Sequence, residues 1–246
     1  MLDLNKIYCM DCLEGMKEIP DNTIDLILTD LPYGMTQNKW DCELNLELLW
    51  CSYKRIIKDN GVIALTSIQP FSSKLVMSNL NMFKYSWVWD KKVSTNFLNS
   101  KKQPLRKHED ILIFYTKQCC YNPQMSKGLP YDKGVSFDKS PNYGKQRPIR
   151  ALNISGDRYP TSILEISNAN RRIKSHPTEK PIQLFEYLIK TYTNEGDLVL
   201  DSCLGSGTTA VACKQLGRDF IGFELSQEYV DIANKRLSQG VLSDFQ

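Results

Sequence analysis

Residues 197–225 read DLVLDSCLGSGTTAVACKQLGRDFIGFEL, and this stretch decides the fold. Its apolar runs predict strands at 197–200 and 220–223, joined by a helix that ends at Leu216. Asp201 follows the first strand directly. A strand, helix and strand in this order predict a parallel sheet with helices packed on it.

The turn between the first strand and the helix is rich in glycine. Gly205 and Gly207 let the backbone turn tightly and approach a ligand closely. The helix that begins near Thr208 points its free N–H groups at that ligand. Glu224 follows Gly205 by nineteen residues, at the place where a carboxylate binds ribose hydroxyls in nucleotide-binding units. The unit therefore predicts a site for an adenosyl-type ligand.

The amino-terminal third repeats this alternation of strands and helices. Strands are predicted at 6–9, 23–29 and 62–66, and helices at 12–19 and 44–58, with Asn60-Gly61 ending the second helix. The run at 23–29 is nearly continuous in apolar residues, as in a strand buried on both faces. The pattern predicts an α/β fold with a mostly parallel sheet and helices on both faces.

The middle of the chain has a different character. After two strands it loses all strong periodicity, which predicts an irregular insertion at 118–170 on a domain formed by 1–117 and 171–246. Strands are predicted at 85–90 and 110–116, and helices at 182–192 and 227–237, the last with Ser226 as its N-cap.

Composition is typical of a globular protein. The chain has 246 residues, of which 41% are hydrophobic. No apolar run is long enough to span a bilayer, and the first residues do not have the pattern of a signal region. We therefore expect a cytoplasmic protein whose eight cysteines are reduced. Cys9 and Cys12 form a CxxC pair, but no second pair completes four zinc ligands, so no metal site is expected.

Basic residues cluster, although the formal net charge is only +3. Residues 145–174 carry seven basic side chains against two acidic ones, and residues 91–107 carry six against none. The seven are Lys145, Arg147, Arg150, Arg158, Arg171, Arg172 and Lys174, and the six are Lys91, Lys92, Lys101, Lys102, Arg106 and Lys107. Basic runs of this kind can simply be solvent-exposed surfaces. Two of them in the irregular middle of the chain instead indicate a polyanionic partner.

A second motif follows the strand at 23–29. Asp30, Leu31, Pro32 and Tyr33 place a carboxylate, free backbone carbonyls and an aromatic ring at a strand end, where open α/β sheets bind ligands. A carboxylate and a carbonyl together can hold both hydrogens of an NH₂ group, and Tyr33 can stack on the ring that bears it. Taken alone, such a motif is better explained by a turn in which the Asp caps the strand.

Together the motifs resemble those of the DNA amino-methyltransferases, whose signature is (D/N/S)-P-P-(Y/F/W) with a Gly-rich cofactor motif. The matching segments are TDLPYG at 29–34, HPTEKP at 176–181, DSCLGSGTT at 201–209 and FIGFEL at 220–225. The order, with the catalytic motif first, is similar to that of the beta group. The resemblance covers about 6–116 and 175–238 and implies a Rossmann-like methyltransferase fold, with 118–170 as a target-recognition insertion.

The resemblance implies S-adenosylmethionine as the cofactor. The ribose would lie against Glu224, and the adenine against Leu225, Asp11 and Cys12. The cofactor's carboxylate would lie near His176, Thr178 and Lys180, with Asp30 beside it. The residues around its methionine end would be Asp201, Cys203, Gly205, Ser206, Gly207 and Thr208. Two departures stand out. Leu31 replaces a proline, which makes the turn less rigid, and Ser202 and Cys203 replace a proline and a phenylalanine, which predicts weaker cofactor binding.

The implied reaction is methyl transfer to the N6 amine of adenine in double-stranded DNA, with a base rotated out of the stack. Asp30, Leu31, Pro32 and Tyr33 would be catalytic. DNA contacts are expected from Lys101, Lys102, Arg106, Lys145, Arg147, Arg150, Arg158, Arg171 and Arg172. Cytosine N4 is the alternative target, and a non-catalytic DNA-binding sensor of S-adenosylmethionine is a second alternative. The resemblance also allows a homodimer and a cognate restriction enzyme.

Overall fold

The computed structural model describes residues 2–34, 44–136, 149–168 and 180–239. The strands are β1 Lys6–Cys9, β2 Ile24–Thr29, β3 Ile57–Ser67, β4 Phe83–Thr95, β5 Arg106–Phe114, β6 Ser126–Lys127, β7 Tyr131–Ser136, β8 Ile149–Asn153, β9 Asp157–Arg158, β10 Ile163–Glu165, β11 Leu198–Asp201 and β12 Asp219–Glu224. The α-helices are α1 Cys12–Lys17, α2 Leu46–Ile56, α3 Phe71–Ser78, α4 Ile182–Tyr192, α5 Thr208–Leu216 and α6 Gln227–Ser238.

Eight of the described strands form one sheet, in the order β1-β12-β11-β2-β3-β5-β4-β10. All neighbouring strands are parallel except that β5 is antiparallel to both β3 and β4. The mostly parallel sheet expected from the sequence is confirmed. Because β1, β12, β11 and β2 are parallel neighbours, their carboxyl ends meet at one edge, which we call the carboxyl edge.

Helices cover both faces of this sheet, and β2 shows why its sequence is apolar throughout. Leu26 and Leu28 point into a core that also contains residues of α4, α5 and α6. Ile24 and Ile27 belong to a second core, shared with α1, α2 and α3. Both faces of the strand are therefore buried.

The predicted end of the second helix is wrong. Helix α2 ends at Ile56, and Asn60-Gly61 lies within β3 rather than after the helix. The pairing of β2 with β3 shifts register between Ile24 and Leu26, which accommodates extra residues in β3. Gly61 is needed there because a Cβ atom would come within 3.0 Å of the Asp25 carbonyl oxygen.

Helix α3 has no counterpart among the predicted elements. It begins directly after Pro70 and buries Phe71 and Leu75 on one face. A proline at the start of a helix leaves no N–H unsatisfied, which fits this position. The spacing of Phe71 and Leu75, four residues apart, is the signal that the sequence offered.

Residues Pro123–Thr161 form a compact unit distinct from the rest of the chain. Its described strands make two small sheets, one of β6 with β9 and one of β7 with β8. The unit is narrower than the predicted insertion at 118–170, since Asn122 bonds to Thr191 and β10 joins the large sheet. None of the described helices has the length and apolar character needed to cross a membrane.

Candidate functional site

Asp30 lies immediately beyond β2, at the carboxyl edge, and both of its carboxylate oxygens accept hydrogen bonds. Oδ1 accepts from the Tyr33 hydroxyl at 2.7 Å and from the Thr66 hydroxyl. Oδ2 accepts from Lys180 Nζ at 2.6 Å. The carboxylate is thus held from three directions and oriented before any ligand binds.

Lys180 links Asp30 to a second carboxylate. Its ammonium group lies 2.6 Å from Asp30 and 3.3 Å from Oε2 of Glu109. Oε1 of Glu109 lies 3.1 Å from Nζ of Lys91. The two lysine side chains are only 8% and 4% exposed, so two cations and two anions alternate in a mostly buried row without net charge.

Burial alone would lower the pKa of Lys180, but the charges around it more than compensate. The charges of Asp30 and Glu109 raise the pKa of this ammonium group well above its usual range. Lys180 therefore stays protonated at neutral pH and remains a donor to Asp30.

Tyr33 is oriented by Asp30 and by a neighbouring ring. Burial and then the charge of Asp30 raise the pKa of its hydroxyl well above the usual value, so it is a neutral donor. The ring lies 5.3 Å from that of Phe71, and Lys180 Nζ lies 5.8 Å from its centroid. Leu31, which replaces the family's proline, is 2% exposed and fills the core beneath the turn.

The two glycines of the 201–209 turn have different roles. Both have positive φ, +54° at Gly205 and +86° at Gly207. A Cβ atom on Gly207 would come 2.7 Å from Ala233 Cβ, so this glycine allows α5 and α6 to pack. A Cβ atom on Gly205 would meet no atom within 4 Å. The space at Gly205 is open, as a ligand-binding turn requires.

Glu224 and Asp201 hold the turn in place. Glu224 Oε2 accepts from the backbone N–H of Gly205 at 2.9 Å, and its Oε1 accepts from that of Ser226 at 2.8 Å. Asp201, only 3% exposed, accepts from the Cys203 N–H at 3.0 Å and from the Thr209 hydroxyl. Burial raises the pKa of Asp201 to about 6.

Several residues in and around the predicted cofactor site are buried or hydrogen-bonded to other parts of the protein. Ser206 is buried and accepts from Arg236 at 2.9 Å, and Thr208 is also buried. Ser202, at the family's proline position, bonds to the buried Tyr53 hydroxyl at 2.6 Å. Ser226 begins α6 as predicted, but its side chain makes no capping bond.

The start of α1 joins the same edge of the sheet. Cys9 pairs with Glu224 in register, so the residues that follow β1 lie next to those that follow β12. Asp11 caps α1 by accepting from the N–H of Leu13 at 2.8 Å. The Cys12 thiol is buried, and its hydrogen bond with Cys203 lowers its pKa. Leu225 is 64% exposed at this edge.

Part of the predicted site lies outside the described residues, namely His176, Thr178, Lys145, Arg147, Arg171 and Arg172. Of the other basic residues, Lys101 and Lys102 are exposed and Arg106 is half-buried. Arg150 pairs with Asp132, and Arg158 lies 4.7 Å over the Tyr131 ring and donates to the Leu129 carbonyl. These two arginines already have partners within their own unit.

Three residues of the site were not predicted from the sequence, namely Thr66, Glu109 and Phe71. Glu109 lies on β5, where the run RKHEDILIF changes from charged to apolar. A carboxylate at the beginning of an otherwise buried strand was the available signal. It gives no indication of its partner, because Lys180 lies seventy-one residues further along the chain.

The observed arrangement fits an adenosyl-type ligand. Four strands that are neighbours in the sheet bring acidic residues to the carboxyl edge: Asp201 and Glu224 end β11 and β12, and Asp30 and Asp11 come after β2 and β1. The open space at Gly205 lies beside the Glu224 carboxylate. A nucleoside can approach the backbone there without displacing a side chain.

Comparison with known proteins agrees with this arrangement. Residues 24–235 match the profile of a family described as DNA methylase. The chain is 30% identical to the type II methyltransferase M.HpaI of Haemophilus parainfluenzae, over 94% of this chain and 74% of that protein. It is 27% identical to the type II methyltransferase M1.MboII of Moraxella bovis, over 97% of this chain and 98% of that protein. The crystal structure of the M1.HpyAVI–SAM complex superposes with a TM-score of 0.65 at 26% sequence identity, and the match covers 94% of this chain and 99% of that chain.

Proposed function

Since the chain belongs to the DNA methylase family, as a beta-group DNA amino-methyltransferase that uses S-adenosylmethionine, we propose that its target is the N6 amine of adenine. The observation that carries this proposal is Asp30 at the first position of the catalytic tetrad, with its carboxylate fixed by Lys180 and Thr66. The aspartate at this position favours adenine over cytosine in the family signature. Cytosine N4 is the alternative.

In the proposed mechanism, DNA presents a base that has been rotated out of the duplex. S-adenosylmethionine supplies the methyl group, carried on a sulfonium. The base amine takes the place of the Tyr33 hydroxyl at Asp30 Oδ1, and the Leu31 carbonyl accepts its second hydrogen. Tyr33, freed from Asp30, stacks on the base.

Asp30 then acts by orientation and charge. Its hydrogen bond holds the amine nitrogen with the lone pair toward the methyl group, in line for direct displacement. As the N–CH₃ bond forms, the S–CH₃ bond of the bound cofactor would break and leave a neutral thioether. The carboxylate would stabilise the positive charge that develops on the nitrogen and accept its surplus proton, which then passes to solvent. Lys180 and Thr66 keep the carboxylate in position during this step, so little reorganisation is needed.

Nucleoside analysis tests the proposed target. Plasmid DNA is incubated with the protein and S-adenosylmethionine and then digested to nucleosides. The methylated nucleosides are identified by mass spectrometry. We expect N6-methyladenine. N4-methylcytosine would be consistent with the mechanism but would overturn the proposed base. If neither product is found although the protein binds the cofactor, a non-catalytic sensor is favoured.

The open space at Gly205 gives a prediction for cofactor binding. Gly205→Ala would place a methyl group where the ligand approaches, and overpacking costs about 1–3 kcal/mol. The Kd for S-adenosylmethionine is therefore expected to rise about tenfold or more, measured by calorimetry.

Gly217→Ala is the matched control for this change. Gly217 has a similar positive φ of +66° and also open space at its Cβ position, but it ends α5, at the end away from the cofactor turn. Both variants should lose roughly 1 kcal/mol of stability through backbone strain. Equal cofactor affinity in the two variants would contradict the placement of the ligand.

We further propose that the unit Pro123–Thr161 reads the target sequence. It follows β5 in the chain and is compact by itself. Exposed side chains such as Leu129, Ile154 and Tyr159 lie on its surface. Side chains of this kind can contact base edges and sugars in a groove.

A further inference from the structure

The connection between β4 and β5 is an ordered turn rather than an extended loop. Asn96 adopts a left-handed conformation with φ of 69°, and its side chain accepts from Asn99 at 2.9 Å. A short 3-10 helix follows over Phe97–Asn99. The backbone N–H groups of Lys102 and Gln103 then bond to the Asn99 carbonyl at 2.8 and 3.0 Å. The turn therefore has a fixed shape of its own.

This turn presents two large apolar side chains to solvent. Phe97 is 73% exposed and Leu98 is 84% exposed, next to each other in the chain. Single exposed apolar residues are common on protein surfaces. A phenylalanine and a leucine side by side on an ordered turn are a less common arrangement, which suggests a partner that covers them.

The charges around the turn indicate what that partner is. Lys91, Lys92 and Lys107, in the adjoining strands, are paired with Glu109, Asp90 or Glu165. Lys101 and Lys102, in the turn itself, form no ion pair with the acidic residues that the structure describes. Two apolar side chains followed by two unneutralised cations are complementary to DNA, with its apolar base stack and anionic phosphates.

The position of the turn is also consistent with DNA. Strand β4 runs in the same direction as β2 and β3, because β5 is antiparallel to both β3 and β4. The turn after Thr95 therefore lies at the carboxyl edge, as Asp30 does. Ion pairs connect the two places, from Lys91 on β4 through Glu109 and Lys180 to Asp30.

We propose that Phe97 and Leu98 form a wedge that enters the DNA base stack and fills the space left by the rotated target base, while Lys101 and Lys102 bind the flanking phosphates. Apolar wedges of this kind compensate for the stacking that is lost when a base leaves the duplex. The inference rests on the proposed function, because it requires a base that has left the helix.

The test compares two DNA substrates that carry the methylation site mapped in plasmid DNA. One is a normal duplex, and the other lacks the base opposite the target, so the target base is already unpaired. For the Phe97→Ala/Leu98→Ala double variant, we expect the methylation rate on the normal duplex to fall about tenfold or more. On the second substrate the rate should return to within about threefold of the parent protein, because unpairing no longer limits it.

Leu80→Ala is the matched control. Leu80 is 57% exposed and precedes β4, so it lies at the opposite edge of the sheet from Leu98. This variant should behave like the parent protein on both substrates.

Other outcomes would overturn the wedge. Equal losses on both substrates, or no loss on either, would contradict it while leaving the proposed function intact. A double variant that changes only the oligomeric state, measured by light scattering, would show that a second copy of the chain covers the turn instead. A parent protein that methylates neither substrate would overturn the proposed function and the wedge together.

Discussion

Replacement of Asp30 by alanine is expected to lower the rate of methyl transfer about 10³-fold or more, because it removes a preorganised acceptor at the reacting nitrogen. Cofactor affinity should change little, since the open space at Gly205 and the Glu224 carboxylate stay in place. Initial rates with radiolabelled S-adenosylmethionine measure the first quantity, and calorimetry measures the second.

Asp59→Ala is a suitable control for the loss of a carboxylate. Asp59 pairs with Lys117 on the surface, where both side chains are largely exposed. A surface pair of this kind contributes little to stability, so activity and melting temperature should stay close to those of the parent protein. An Asp30→Ala variant with parental activity would overturn the assignment of the catalytic residue.

Lys180→Met is expected to lower both activity and stability. It removes the cation between Asp30 and Glu109 and leaves two mostly buried carboxylates without it. Loss of one partner from a buried ion pair costs roughly 3 kcal/mol. Because Asp30 also loses a strong donor at Oδ2, methyl transfer should fall about 10²-fold in protein that remains folded.

The double variant Lys180→Met/Glu109→Gln separates the two effects. Removing the Glu109 charge relieves the repulsion between carboxylates, so thermal stability should recover in part while activity stays low. Lys58→Met is the control, since Lys58 forms a half-exposed pair with Asp25 away from the carboxyl edge. Recovery of activity in the double variant would show that Lys180 has no role in orienting Asp30.

Much of the fold could be predicted from the sequence because local patterns determine it. The central strands β2 and β11 are buried on both faces, and a sheet covered by helices on each side explains this. The end of α2 could not be predicted in the same way. Asn60-Gly61 looks like a helix stop, but pairing with β2 draws these residues into a strand with a register shift.

The site shows the same limit. Asp30, Gly205 and Glu224 lie in recognisable motifs, and the structure brings them to one edge of the sheet. Sequence could not distinguish Gly205 from Gly207, because the reason for Gly207 is the approach of Ala233 from another helix. Nor could it identify Glu109, whose importance depends on contacts with two lysines on other elements.

The row of alternating charges from Lys91 to Asp30 also bears on how the reaction responds to ionic strength. Mobile ions screen exposed charges strongly, and mostly buried, mutually neutralised ones much less. If the exposed Lys101 and Lys102 bind phosphates as proposed, capture of DNA should be sensitive to salt, whereas the buried charges around Asp30 should be much less affected. The proposed encounter with DNA and the proposed chemistry on the base would then take place in two electrostatic environments within one domain.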